Sequence, residues 1–358
     1  MEDCGYYIGD TGSLYISQSK KLKNIYPLIY ESANLVRAQY NAQKGKGDRT
    51  EIRKFNNNII ECLTDLYFQL RNMTYQPGEY KTKTIYEPKE RLIMIAPFYP
   101  DRIVHHCVIN VLGQHWTHIF TSNTYACIKG RGVHKCMEDL HRDMMLDKKG
   151  TKYCLKIDIR KYFDNVDHAS MKRIIRYTIA DDQMLWLLDR IIDSNGKTIG
   201  LPIGNFKSQY FANLYLAYFD HWVKEDLARM VMAKFGVKIY YYRYMDDIVV
   251  LCSSKEALHF ILDMMGLYLA SKLKLEIKPN WQIFPVDDRC IDYVGFKQNH
   301  YGILLRKGIL MRFYRKLNKV KKRYEIKDMN DVKHLFPSEY FNKCLNNGNN
   351  RIIYRVAG

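Results

Sequence analysis

The sequence predicts an α+β chain with a split βαβ arrangement of strands at its centre. Three observations carry this. Short β-rich runs alternate with helix-period runs between positions 150 and 300. Apolar residues fill 47% of the 358 positions, enough to bury a core in two or three cooperating subdomains. No internal repeat and no Pro/Ser-rich linker divides the chain.

The elements follow in order. Residues 1–20 read as an arm. Helical periodicity runs from Lys21 to Arg71, broken by the Gly- and Lys-rich loop NAQKGKGDRT. YQPGEYKTKTIYEPKERLIMIAP alternates around Pro and Gly and predicts an extended hairpin. DRIVHHCVINVLGQHWTHIF presents one apolar helical face; its His105 and His106 read as structural. A loop through GRGVH leads into another helix. YCLKIDI is a short strand ending near Asp158, followed by helices to Ile192. DSNGKTIGLPIGNFKSQ is a loop that opens the long helix YFANLYLAYFDHWVKEDLARM. VKIYYYRYMDDIVVLCSS predicts strand–turn–strand, KEALHFILDMMGLYLASKL a helix, and residues 275–306 further strands. The tail, 306–358, carries 14 Lys and Arg and reads as a basic helical bundle.

Net charge is +18, which calls for a polyanionic partner. No apolar run approaches the ~18 residues of a membrane span, so nucleic acid is favoured over a membrane. Aromatic content of 13%, with 29 Tyr, suits stacking on unpaired bases. Nine Cys without a CxxC pair, and His without HxxxH or HxH spacing, argue against zinc. The odd, irregular Cys set and the acidic N-terminus without an apolar stretch predict reduced thiols and a cytoplasmic location.

Asp246 and Asp247 stand side by side between two β runs, and Asp158 ends a strand 88 residues earlier. A bare Asp-Asp pair is most simply a turn filler. Adjacent carboxylates also repel unless a cation sits between them, and Mg2+ takes such hard oxygens. If the two strands are neighbours, three carboxylates converge on a two-metal site for phosphoryl transfer.

The flanking residues decide between these readings. RYMDDIVV resembles the carboxylate-pair element of reverse transcriptases, and LKIDIRKYFDNVDH their first carboxylate motif. GLPIGNFKSQYFANLYL falls between the two, where those enzymes carry a Gly-hinged loop and helix. The resemblance covers Leu22 to Arg315 and implies a right-hand polymerase fold: fingers, a palm with an antiparallel sheet and a helical thumb. It places an arm at 1–20, fingers and the first part of the palm at 21–150, palm at 151–300 and basic thumb at 301–358.

The same resemblance implies site roles. Asp158, Asp246 and Asp247 match the catalytic carboxylates, with the Ile159 carbonyl also facing a metal. Two Mg2+ ions are implied, with Mn2+ able to substitute. Lys89 and Arg91 match the cations that hold the incoming dNTP. Phe163 matches the aromatic gate that rejects a 2′-OH. Ile203 and Gly204 face the nucleotide, where retroviral enzymes carry Gln at the first position. Arg131, Ser208, Gln209, Tyr244, Met245, Gly295 and Phe296 match template and primer contacts, and Lys278 a proton donor to pyrophosphate. An ordinary solvated Lys, a core Phe and a structural Arg131 loop remain the plain alternatives.

IGNFKSQ is similar to the IGNLTSQ element of reverse transcriptases from diversity-generating retroelements, departing at two positions. That subgroup copies a template RNA with errors opposite adenine, in mutagenic retrohoming. It implies as partners an RNA/cDNA duplex and a small basic helical accessory protein forming a ring. A retron, defence-associated or group II intron-type enzyme is the nearest alternative. A non-catalytic RNA-binding scaffold is the alternative of another class. No second carboxylate cluster for RNase H and no Cys/His endonuclease module is seen, so the chain reads as a minimal polymerase.

Overall fold

A computed structural model describes residues 6–8, 14–16, 21–86, 91–202 and 206–323. A short antiparallel pair, β1 (Tyr6–Ile8) and β2 (Leu14–Ile16), comes first. Four helices follow: α1 (Pro27–Tyr30), α2 (Ser32–Gln43), α3 (Thr50–Asn57) and α4 (Ile59–Arg71). The Gly/Lys loop expected from sequence separates α2 from α3. The predicted hairpin is β3 (Lys81–Ile85) against β4 (Arg91–Ile95). Helices α5 (Ile103–Ile119) and α6 (Val133–Leu146) lead to β5 (Tyr153–Asp158).

After β5 come α7 (His168–Ile175) and α8 (Asp182–Ile192). Each opens on an Asp cap: Asp167 accepts from the Ser170 N–H at 2.8 Å and Asp181 from that of Met184 at 2.9 Å. The next stretch differs from the single long helix expected. It is α9 (Phe206–Tyr215), a break at Leu216, α10 (Ala217–Trp222), a wide turn over Val223–Leu227 and α11 (Ala228–Phe235). The apolar run hides the break because Leu216 and its neighbours are buried on both sides of it. Then come β6 (Tyr240–Tyr244), β7 (Asp247–Cys252), α12 (Lys255–Leu273) and β8 (Gln282–Pro285). A second meander, β9 (Ile291–Tyr293), β10 (Phe296–Asn299) and β11 (Gly302–Leu305), precedes α13 (Lys307–Arg323).

The central sheet has the order β6-β7-β5-β8, every neighbouring pair antiparallel. β6 therefore runs parallel to β5 with β7 between them, and β8 parallel to β7 with β5 between them. These are two split βαβ units, as predicted. The pleat sorts the side chains. Leu155, Ile157, Ile248, Val250 and Tyr241 join the main core with helices such as α9 and α12. Cys154, Val249, Leu251 and Tyr242 join a second cluster with α6 and with Ile291 and Tyr293 of the meander. Burying each such aliphatic chain contributes about 1.5–3 kcal/mol. By the same alternation, Lys156, Asp158 and Asp247 lie on the second face, at the end of the sheet. Among the described residues no helix is long and apolar enough to cross a membrane.

Candidate active site

The split topology makes β5 and β7 neighbours running in opposite directions, so the end of one meets the start of the other. Asp158 and Asp247 are direct register partners. Asp246 sits in the two-residue turn with Met245, because Tyr244 pairs with Asp247 across the hairpin. The Ile159 N–H donates to the Asp246 carbonyl at 3.1 Å, stitching that turn to the continuation of β5. Positions 88 and 89 residues apart are thus brought to one sheet end.

Two of the three carboxylates have a lysine beside them. Lys278 Nζ donates to Asp158 Oδ1 at 2.5 Å, and its own N–H donates to the Asp158 carbonyl at 2.9 Å. Lys156 Nζ lies 3.8 Å from Asp247 Oδ2 and donates to the Asp292 carbonyl. Asp247 Oδ1 is buried without a hydrogen-bond partner. Burial pushes the Asp247 carboxyl up to about 7, with the charges of Asp158 and Asp246 adding to it and Lys156 opposing. The three side chains do not close on one point: no group of three His, Cys, Asp or Glu forms a preformed ligand cluster among the described residues. The donor chemistry nonetheless fits a hard divalent cation. Two facing carboxylates, an orphaned oxygen and a carboxyl that gives up its proton reluctantly are what a dication would relieve.

Phe163 lies in a short turn (Tyr162–Asp164) just past β5, its ring edge-on to Tyr162 at 5.5 Å. The loop ahead of α9 is pinned to that turn. Leu201 N–H donates to the Phe163 carbonyl at 2.7 Å and Gly200 N–H to Val166 at 2.8 Å. A Cβ on Gly200, at φ +93°, would lie 3.2 Å from the Asp164 carbonyl oxygen, so the close approach depends on glycine. Ser208 is 1% exposed and donates to the Pro202 carbonyl at 2.7 Å; Gln209 is half-buried. Arg131 Nη1 donates to the Thr121 and Thr124 carbonyls at 2.6 and 3.1 Å, bracing its own loop. Arg91 opens β4 opposite Ile85. Lys89, Ile203 and Gly204 lie outside the described residues.

Gly295 and Val294, both at positive φ, make the two-residue turn between β9 and β10, and Phe296 follows it, buried. The Tyr293 hydroxyl donates to the Asp247 carbonyl at 3.1 Å, which ties the meander to the carboxylate hairpin.

Three residues here escaped sequence reasoning: Lys156, Tyr293 and Arg243. Arg243 and Asp220 are both fully buried. Arg243 Nε donates to Asp220 Oδ1 at 2.7 Å and Nη2 to Oδ2 at 2.5 Å. Tyr241 and Thr124 hydroxyls donate to the same carboxylate at 2.6 and 2.8 Å. Burial disfavours the guanidinium charge, but Asp220 outweighs it and keeps Arg243 protonated. Removing one member of such a pair costs about 3–5 kcal/mol. The strict alternation of YYYRYMDD could have flagged it, since Arg243 falls on the same face as Tyr241.

Comparison with known proteins settles the family. The reverse transcriptase (RNA-dependent DNA polymerase) model matches residues 81–298, more than half of the chain. The chain belongs to the reverse transcriptase family. It is 20% identical to the group II intron-encoded protein LtrA of Lactococcus lactis subsp. cremoris, covering 69% of this chain and 52% of that one. It is 22% identical to Protein YkfC of Escherichia coli (strain K12), covering 58% of each. The chain thus spans about half the length of the curated relatives it matches. Among solved structures, apo telomerase from Candida Tropicalis truncated from its C-terminal domain aligns at 13% identity and a TM-score of 0.47, covering 63% of this chain and 55% of that one. A partial Cas6-RT-Cas1–Cas2 complex aligns at 18% identity and a TM-score of 0.38, covering 72% and 45%.

Proposed function

We propose that this reverse transcriptase family member is an RNA-directed DNA polymerase that copies a template RNA into cDNA from dNTPs. One observation carries the reading: Asp158 and Asp247 face each other in register, with Asp246 in the adjoining turn. In this reading Asp158, Asp246, Asp247 and the Ile159 carbonyl hold two Mg2+ ions, which Mn2+ can replace. When bound, the ions lower the charge barrier to nucleotidyl transfer. The chain's own groups do the rest. Lys278, released from Asp158, faces the triphosphate as proton donor. Phe163 closes the sugar pocket against a 2′-OH. Lys89, Arg91, Ile203 and Gly204 hold the nucleotide. Tyr244, Met245, Gly295, Phe296, Arg131 and Gln209 line the template–primer path, and Ser208 supports it from below. Residues 21–150 serve as fingers, 151–300 as palm and 301–358 as thumb.

The test is primer extension on an RNA template. Asp158→Asn, Asp246→Asn and Asp247→Asn are each expected to lose product by about 10^3-fold or more, the scale of losing a charge-stabilising catalytic group. Wild-type yield from all three would leave the non-catalytic scaffold as the reading.

The finer assignment is mutagenic copying within a diversity-generating retroelement, supported by IGNFKSQ with Ile203 in place of Gln. A basic ring-forming accessory protein would be its partner. Ile203→Gln is expected to lower errors at template adenines by about 10-fold, as a restored hydrogen bond orients the nucleotide. An error spectrum that sequencing finds unchanged sinks this part. The similarity to LtrA favours, as second reading, a group II intron-type enzyme without adenine bias.

A further inference from the structure

The carboxylate turn is built on an unfavourable backbone. Met245 carries φ +56°, a conformation that residues with side chains adopt only when their surroundings enforce it. Ile159 and Tyr293 hold the carbonyls of Asp246 and Asp247, and Arg243 holds that of Met245 itself. Arg243 Nη1 donates to the Met245 carbonyl at 3.1 Å and to Asn213 Oδ1 at 3.2 Å. Its other two nitrogens are locked on Asp220. Asn213 in turn donates to the Ala126 carbonyl at 2.7 Å, and Arg243 and Asn123 are joined by a backbone bond of 3.0 Å. The guanidinium thus fixes the turn to α9 and α10, while the Arg243 backbone and Asn213 tie it to the loop that Arg131 braces.

We propose that Arg243 is a positioning residue: locked by Asp220, it holds the Met245 carbonyl and so sets where Asp246 and Asp247 stand. The inference rests on the reading of those carboxylates as metal ligands. A plain fold anchor would stabilise the protein without affecting the carboxylates, and the two roles separate experimentally. Lysine keeps the charge but has no planar fork, so it cannot serve Asp220 at two points and reach Met245 as well. Tyr241 donates to the same Asp220 oxygen as Arg243 but makes no bond to the turn.

The experiment measures Mn2+ binding to the full chain by electron paramagnetic resonance, without nucleotide, beside melting temperature and steady-state kinetics. Arg243→Lys is expected to weaken Mn2+ binding by about 10–100-fold, the usual effect of losing a group that orients a ligand. Its kcat should fall while KM for primer–template holds. Tyr241→Phe is expected to lower the melting temperature and leave Mn2+ binding unchanged. If Arg243→Lys does not fold, the pair Arg243→Gln with Asp220→Asn leaves no bare buried charge, and the same loss is expected. Mn2+ binding that tracks the melting temperature alike in Arg243→Lys and Tyr241→Phe overturns the inference. Asp246→Asn is the control for the underlying reading: wild-type Mn2+ binding and activity there would remove the site itself, not only the role of Arg243.

Discussion

Asp247→Asn should make this protein more stable, by an amount that grows as pH rises from about 4 to about 7. The carboxyl is raised from 3.8 to about 7, burial being the main cause. The folded state therefore holds a proton that the unfolded state releases between those values. By linkage, stability falls as pH rises from about 4 to about 7, and the full cost is present above that range. Roughly three pH units at about 1.4 kcal/mol each give an upper bound of about 4 kcal/mol. The side chain is 32% exposed, so water screens part of this. About half, or ~2 kcal/mol, is the working figure. At roughly 2 °C per kcal/mol for a large domain, Asp247→Asn should raise the melting temperature by about 4 °C at pH 8. The gain should shrink steadily below pH 7 and be nearly gone at pH 4, where the unfolded carboxyl keeps much of its proton too. The assay is thermal unfolding in EDTA at both values. An equal shift at pH 4 and pH 8, or a loss at pH 8, would refute the argument that ionised Asp247 is held at a cost.

Two further substitutions probe the neighbourhood. If the Phe163 ring on the Tyr162–Asp164 turn is the proposed sugar gate, Phe163→Ala should narrow dNTP over rNTP selectivity by about 10-fold or more; single-nucleotide incorporation kinetics give the ratio, and an unchanged one retires the gate. Gly295→Ala should destabilise by about 1–2 kcal/mol, since φ is +93° and a Cβ would meet Ile309 Cδ1 at 2.8 Å; urea unfolding that matches wild type would show that the turn relaxes freely.

Much of the central sheet could be read from the chain because its strands alternate and its turns are short. KTKTI and RLIMI, YCLKID, and YYYRY with DIVVLC all form where the periodicity placed them. The meeting of Asp158 with Asp247 followed from strand neighbourhood, which the split βαβ pattern suggested and the register established. What stayed hidden was decided by tertiary burial. Arg243 and Asp220 look like two solvated charges until the fold seals both from water. The break at Leu216 lies inside a uniformly apolar run, so periodicity had nothing to register. Lys156 reads as an outward charge on a strand, yet it reaches across to Asp247. Ser208 looks like a free hydroxyl, but is consumed by a carbonyl six residues back.

The order of strands in the central sheet also dictates a timetable for synthesis. β5 is made well before β7, and Lys278, the counter-charge to Asp158, comes later still. A ribosome that has released only the first two-thirds of the chain displays Asp158 with none of its companions. The carboxylate cluster therefore cannot assemble until the far side of the hairpin emerges and docks, and long-range pairing of this kind is intrinsically slow.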